Sequence, residues 1–151
     1  METDDTETIP GGPPAAGTEV ETLLGALERQ RRYIAWKCGG LDTAGLQRTL
    51  PPSTMTLGGL LKHLALVEED YFSRRLLGHE FGPHWEADWD EEPDWEWRTA
   101  ADDSPEELYE LWQGTVAMSR SAVASVFRSG GTLDQPSMQT WPDAACQACG
   151  A

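Results

Sequence analysis

The chain has 151 residues, 26 acidic against 11 basic side chains and a formal charge of −15, with a pI near 4.4. That length suits one domain with a real hydrophobic core, while the charge leaves no cationic face for a nucleic acid or an anionic membrane surface. Nowhere do about 18 apolar residues run together, as a membrane-spanning helix requires.

The opening text, "METDDTETIPGGPPAAGTE", is acidic and rich in Pro and Gly, with neither the basic nor the apolar region of a signal peptide. Residues 1–18 are therefore expected to be a disordered lead-in. Three cysteines without framework spacing fit a reducing compartment, and the expected location is cytoplasmic.

In "VETLLGALERQRRYIAWKC" the residues Val20, Leu23, Leu24, Leu27 and Ile34 recur at helical spacing, with Arg29, Arg31 and Arg32 mostly turned away from them. Gly39 and Gly40 stop this first helix. A connector follows in which Pro51-Pro52 forbids continuous helix. The second helix is expected from about Leu57 to Leu77, with Thr56 as N-cap and Gly78 at its end. Residues 78–103 show no sustained period and read as a long functional or poorly ordered loop. The third helix opens on "SPEE", which supplies Ser104 as N-cap, Pro105 at the first turn and Glu107 to close a capping box. Its stripe is Leu108, Leu111, Trp112, Thr115, Ser119, Ala122, Val123 and Val126, and Gly130-Gly131 ends it. No strand pattern appears. Three helices of roughly five turns each sharing one core make an all-α antiparallel bundle the economical architecture, and the long loops favour a crossover topology.

On the second helix Leu60, His63, Leu64, Val67 and Tyr71 share one arc, which places His63 towards the interior. An inward histidine is either a core residue with its ring nitrogens satisfied or a ligand. Asp70 and Glu68 are candidate partners for its ring, with a solvated position the simpler reading of Glu68. Cys38 reads as a buried structural thiol, and Cys146-x-x-Cys149 is too small a set to close a zinc site. The tryptophans of the acidic loop, Trp85, Trp89, Trp95 and Trp97, either fold back to cover one end of the bundle or line a ligand cleft.

The succession "LLGALERQRRYIAWKCGGLD", "PPSTMTLGGLLKHLALVEEDYF", "DEEPDWEWR" and "DDSPEELYELW" resembles the DinB-like superfamily, in its mini-circle protein branch. The most telling part is the Thr-Leu helix start followed by Lys62, His63, Leu64, Val67 and Glu68. The resemblance covers residues 20 to 143 and implies an up-down-down-up four-helix bundle, with the domain at residues 19–143 and an atypical tail at 144–151. It also implies a divalent metal, zinc or nickel, held in full-length relatives by one histidine of the second helix and an H-x-x-x-H pair of the fourth. Activities in such relatives are thiol-dependent transfers or isomerisations with mycothiol, bacillithiol or glutathione. His63 matches the first ligand. After "QTWPD" the chain reads "AACQACGA" where that pair is implied, so the expectation is a bundle truncated to three helices, from a gene cut short or shifted in frame near residue 143, that does not retain the metal. Three function readings follow. One is a metal-binding, thiol-dependent transferase that is inactive as written. The second is a helical interaction module, completing its core with a partner or as a homodimer. The third is a gene product without activity.

Overall fold

The computed structural model describes residues 13–85 and 91–130. Its described residues are helices and their connections, with no strand, so the chain is all-α. No helix among them is long and apolar enough to cross a membrane. The tail at 144–151, with Cys146 and Cys149, and the implied fourth helix lie outside the described residues. The chain divides into two compact units, one running to Gly40 and the other starting at Leu41.

The first unit carries α1, Glu19–Cys38. Thr18 and Glu21 close a capping box: the Glu21 N–H donates to Thr18 Oγ1 at 3.3 Å and the Thr18 N–H donates to Glu21 Oε2 at 2.7 Å. That backbone hydrogen bond holds the Glu21 carboxyl below its usual range. At the other end the Gly39 N–H donates to the Ala35 carbonyl, and Gly40 takes a φ of +72°, which glycine adopts without steric cost. The stripe is less regular than its spacing suggests. Leu23 is 63% exposed and Arg31 is buried, its guanidinium 2.5 Å from Glu28 one turn earlier. Pairing with a carboxylate on the same helix is what lets a long cationic side chain lie down in this way. Cys38 is buried as expected, and burial pushes its thiol up to about 11. It therefore stays protonated at neutral pH and is a packing residue rather than a nucleophile.

The second unit begins with α2, Thr43–Leu46, a single turn capped by Asp42, whose Oδ1 accepts the Gly45 N–H at 2.8 Å and which sets Leu46 into the core. Helix α3, Leu57–Glu68, starts at Thr56, whose Oγ1 accepts the Gly59 N–H at 3.0 Å. It runs on as a π-helical segment, Glu69–Arg75, and the chain stays helical to Leu77. Gly78, at a φ of +75°, then ends it, with the Gly78 and His79 N–H groups donating to the carbonyls of Arg74 and Ser73. The wider π turn sets Glu69 and Ser73 on buried positions, next to the buried Glu68 at the end of α3. A five-residue helix α4, Trp95–Thr99, interrupts the long loop. Helix α5, Pro105–Gly130, opens on the expected capping box: the Ser104 N–H donates to Glu107 Oε2 at 2.8 Å and the Glu107 N–H to Ser104 Oγ at 3.2 Å.

Helix α3 packs chiefly on α5 and α4. Leu108 near the start of α5 lies against Gly58 near the start of α3. Ten residues further along α3 and eleven along α5, Ser119 Oγ donates to the carbonyl of Glu68 at 3.3 Å. The two helices therefore run parallel. This is the parallel central pair of the up-down-down-up order that the resemblance implies, and it is what a long crossing connection between two neighbouring helices produces, in place of the antiparallel neighbours that economy alone favours. Leu46, Leu61, Ala65, Ala100, Leu108, Trp112, Val116 and Ala122 make the core of this unit.

A histidine and a buried carboxylate on neighbouring helices

On α3 the buried residues are Gly58, Gly59, Leu61, Lys62, Ala65 and Glu68. They lie well round the helix from the arc through Leu60, His63, Leu64, Val67 and Tyr71, which is half-buried, with Tyr71 56% exposed. His63 is accordingly not an inward core residue. Its side chain is 36% exposed and stands at the border between α3 and α4. The periodicity misled because apolar side chains surround α3 on nearly every side, and α4 and α5 cover only one of them.

The partner of His63 is Glu96 of α4, with His63 Nδ1 2.9 Å from Glu96 Oε1. An ionised carboxylate only accepts, so in the neutral ring this contact calls for the hydrogen on Nδ1 and leaves the lone pair to Nε2. Nε2 has no hydrogen-bond partner among the described residues. Glu96 is buried, and its other oxygen, Oε2, is buried without a hydrogen-bond partner among the described residues. The indole of Trp97 stacks on the imidazole, ring centroids 4.7 Å apart and planes 26° from parallel. Gly59, one turn before His63, makes room for it: a Cβ there would lie 2.8 Å from Trp97 Cε3.

Helix α4 is further held to α3 by Lys62. This buried cation lies 2.6 Å from Asp103 and 4.8 Å from the centre of the Trp95 ring. Glu69 secures the front of the loop, accepting the Gly82 N–H at 2.6 Å and the Trp85 indole N–H at 2.7 Å. Trp85, buried, meets Trp95 edge to face at 6.4 Å. Trp85, Trp95 and Trp97 thus fold back along the flank of α3 and its π-helical continuation, with Trp97 against the His63 ring. Trp89 lies outside the described residues.

Neither expected partner of His63 serves it. Asp70 is taken by Arg74 at 2.6 Å and Arg75 at 2.7 Å. It lines an open groove of about 270 Å³ with Leu66, Val67, Arg74 and Phe81. Glu68 is buried instead of solvated. Glu96 was concealed among many acidic residues of one loop. Its place between two tryptophans, just after Pro93-Asp94, marks a point where a helix can start but does not distinguish its carboxylate from those neighbours.

The donor set bears on the metal that the resemblance implies. The chain contains three histidines. His79 has its Nδ1 3.2 Å from Ser73 Oγ, and His84 is exposed in the loop. Among the described residues no group of three or more His, Cys, Asp or Glu side chains is arranged to hold a metal ion. His63 Nε2 is a single donor, whereas a catalytic metal centre of this kind needs about three protein ligands and an open position. The residues present do not fit a tris-histidine metal.

Compared with known proteins, the chain matches no curated protein and no solved structure. The family model described as mycothiol S-transferase matches residues 22–148, most of the chain and all of the His63–Glu96 region. The chain belongs to the mycothiol S-transferase family, within the DinB-like superfamily.

Proposed function

We propose that this chain acts on small thiols of the mycothiol class, with His63 as its proton-handling residue. The observation that carries the reading is the state of the ring in a chain of this family: Nδ1 is engaged, and Nε2 is unpartnered on a half-exposed imidazole. Nε2 takes the proton of the thiol, leaving a thiolate. The thiolate sulfur attacks an electrophilic carbon, so a C–S bond forms as the bond to the leaving group breaks, and the leaving group departs with its electron pair. The imidazolium then returns its proton to water or to the leaving group. The family is generally metal-dependent, but no step is routed through a metal here because the described residues do not assemble its ligands.

The test follows consumption of a haloarene electrophile by mycothiol, with protein pretreated with a chelator. The wild-type rate should exceed the blank and be unchanged by chelation, and His63→Ala should lower it about 10²-fold or more. Equal rates for wild type and His63→Ala, or activity that needs an added zinc or nickel ion, would contradict the reading.

A second reading, a helical module that pairs with another copy of itself, is favoured by the exposure of Leu23 and of Trp36, at 63% and 46%, on α1. It requires a concentration-dependent dimer in sedimentation velocity. A monomer at every concentration removes it.

A further inference from the structure

We infer that Glu96 is the positioning residue of this site: it fixes the imidazole of His63 as the Nδ1–H tautomer, so that the Nε2 lone pair is the one presented to a thiol. The inference rests on the proposed role of His63 and assigns a role to a carboxylate that the sequence pattern did not single out.

The simpler alternative is a structural ion pair that happens to join α3 and α4. The burial of Glu96 argues against it. A carboxylate with one oxygen on a histidine and the other buried without a partner among the described residues is a poor way to hold a helix, since no hydrogen bond from them offsets removing that oxygen from water. Nor does α4 need it. Lys62 reaches both Trp95 and Asp103, Gln47 Nε2 donates to the Ala101 carbonyl at 2.8 Å, Ala100 is buried, and Trp97 sits in the space left by Gly59. What Glu96 does that none of these contacts does is set which ring nitrogen carries the hydrogen. The stacked indole of Trp97 fixes the plane of the ring, and Glu96 fixes its rotation within that plane. A carboxylate behind a functional histidine is a recurrent way of orienting the ring and raising its basicity.

Glu96→Leu keeps approximate size and removes both the acceptor and the unpartnered oxygen. The tautomer of His63 is read by long-range ¹⁵N–¹H correlation in the full chain with the ring neutral, its signals assigned by their loss in His63→Ala. In the wild type the hydrogen should sit on Nδ1. In Glu96→Leu the Nε2–H form, which an unconstrained imidazole favours in water, should predominate, while the urea midpoint is unchanged or higher. The kcat for thiol conjugation should fall about 10-fold or more with KM little changed. Glu96→Gln, which still offers an acceptor oxygen, should recover the Nδ1–H form in part. Should Glu96→Leu fail to fold, the wild-type and Glu96→Gln spectra still decide. A wild-type ring already in the Nε2–H form, or a Glu96→Leu protein that keeps Nδ1–H and loses only stability, overturns the inference. The tautomer is measured without turnover, so a chain that conjugates no thiol sinks the proposed reaction and leaves the assignment of Glu96 to be decided by its own spectrum.

Discussion

Glu69→Ala is expected to lower the unfolding free energy by about 2–4 kcal/mol, because it leaves the buried Trp85 indole N–H and the part-buried Gly82 N–H without their acceptor. The carboxylate of Glu69 is buried on the π-helical segment and accepts both the Gly82 backbone N–H and the Trp85 indole N–H. Hydrogen bonds to an ionised acceptor are the stronger kind, and two of them converge on one side chain here. Removing it frees the first part of the long loop and uncovers the edge of Trp95 against which Trp85 packs. Urea unfolding monitored by circular dichroism gives the stability change, and hydrogen exchange at the Trp85 indole shows whether the loop has opened. A loss under about 0.5 kcal/mol, the usual range for an unremarkable surface substitution, would show that the two hydrogen bonds do not hold the loop in solution. Glu69→Gln is a milder change that should fall between the two proteins, since an amide can accept only one of the two donors and turns its NH₂ towards the other.

Leu61→Ala is expected to cost about 2–5 kcal/mol, the range for deleting a fully enclosed leucine in a packed core. Leu61 is wholly buried on α3, on the side covered by α4 and α5. The same experiment on Tyr71→Ala should give a change of about 1 kcal/mol or less, since the side chain is mostly exposed and its ring carries the exposed Arg75 guanidinium 4.9 Å away. The pair of substitutions discriminates between the two faces of α3. If Tyr71→Ala is the damaging change and Leu61→Ala the mild one, the arc read from periodicity is the buried one after all.

The ends of the helices were readable because capping is local chemistry. Thr56 caps α3 through its own hydroxyl, Ser104 and Glu107 satisfy each other's backbone N–H groups at the start of α5, and Gly78 ends the second long helical run at a φ that glycine tolerates. The face of α3 was not readable. Leu60, Leu61, Leu64, Ala65, Leu66 and Val67 ring the helix, so no single stripe is implied, and the choice is made by where α4 and α5 lie. The π-helical segment left no mark in the pattern either, because its residues are ordinary helix text whose hydrogen bonding is shifted by tertiary contacts such as the Glu69 clamp.

The site was half legible for the same reasons. His63 stood out by its place in a family-like helix, although its environment was misjudged along with the face. Glu96 could not be chosen, since side-chain type does not distinguish it from its acidic neighbours in the loop. Only the return of α4 onto α3 brings it to the ring of His63. Short helices such as α2 and α4 carry too few residues for a period to show, and α4 is held by tryptophan packing more than by helix propensity.

For His63 as the thiol-facing residue the most direct check is a titration of the full chain with mycothiol, followed through the ring signals of its three histidines and the indole of Trp97. We expect the His63 and Trp97 signals to move together and saturate while those of His79 and His84 stay still. Saturating shifts at His79 or His84 with His63 unmoved would place thiol binding elsewhere and contradict the role given to His63.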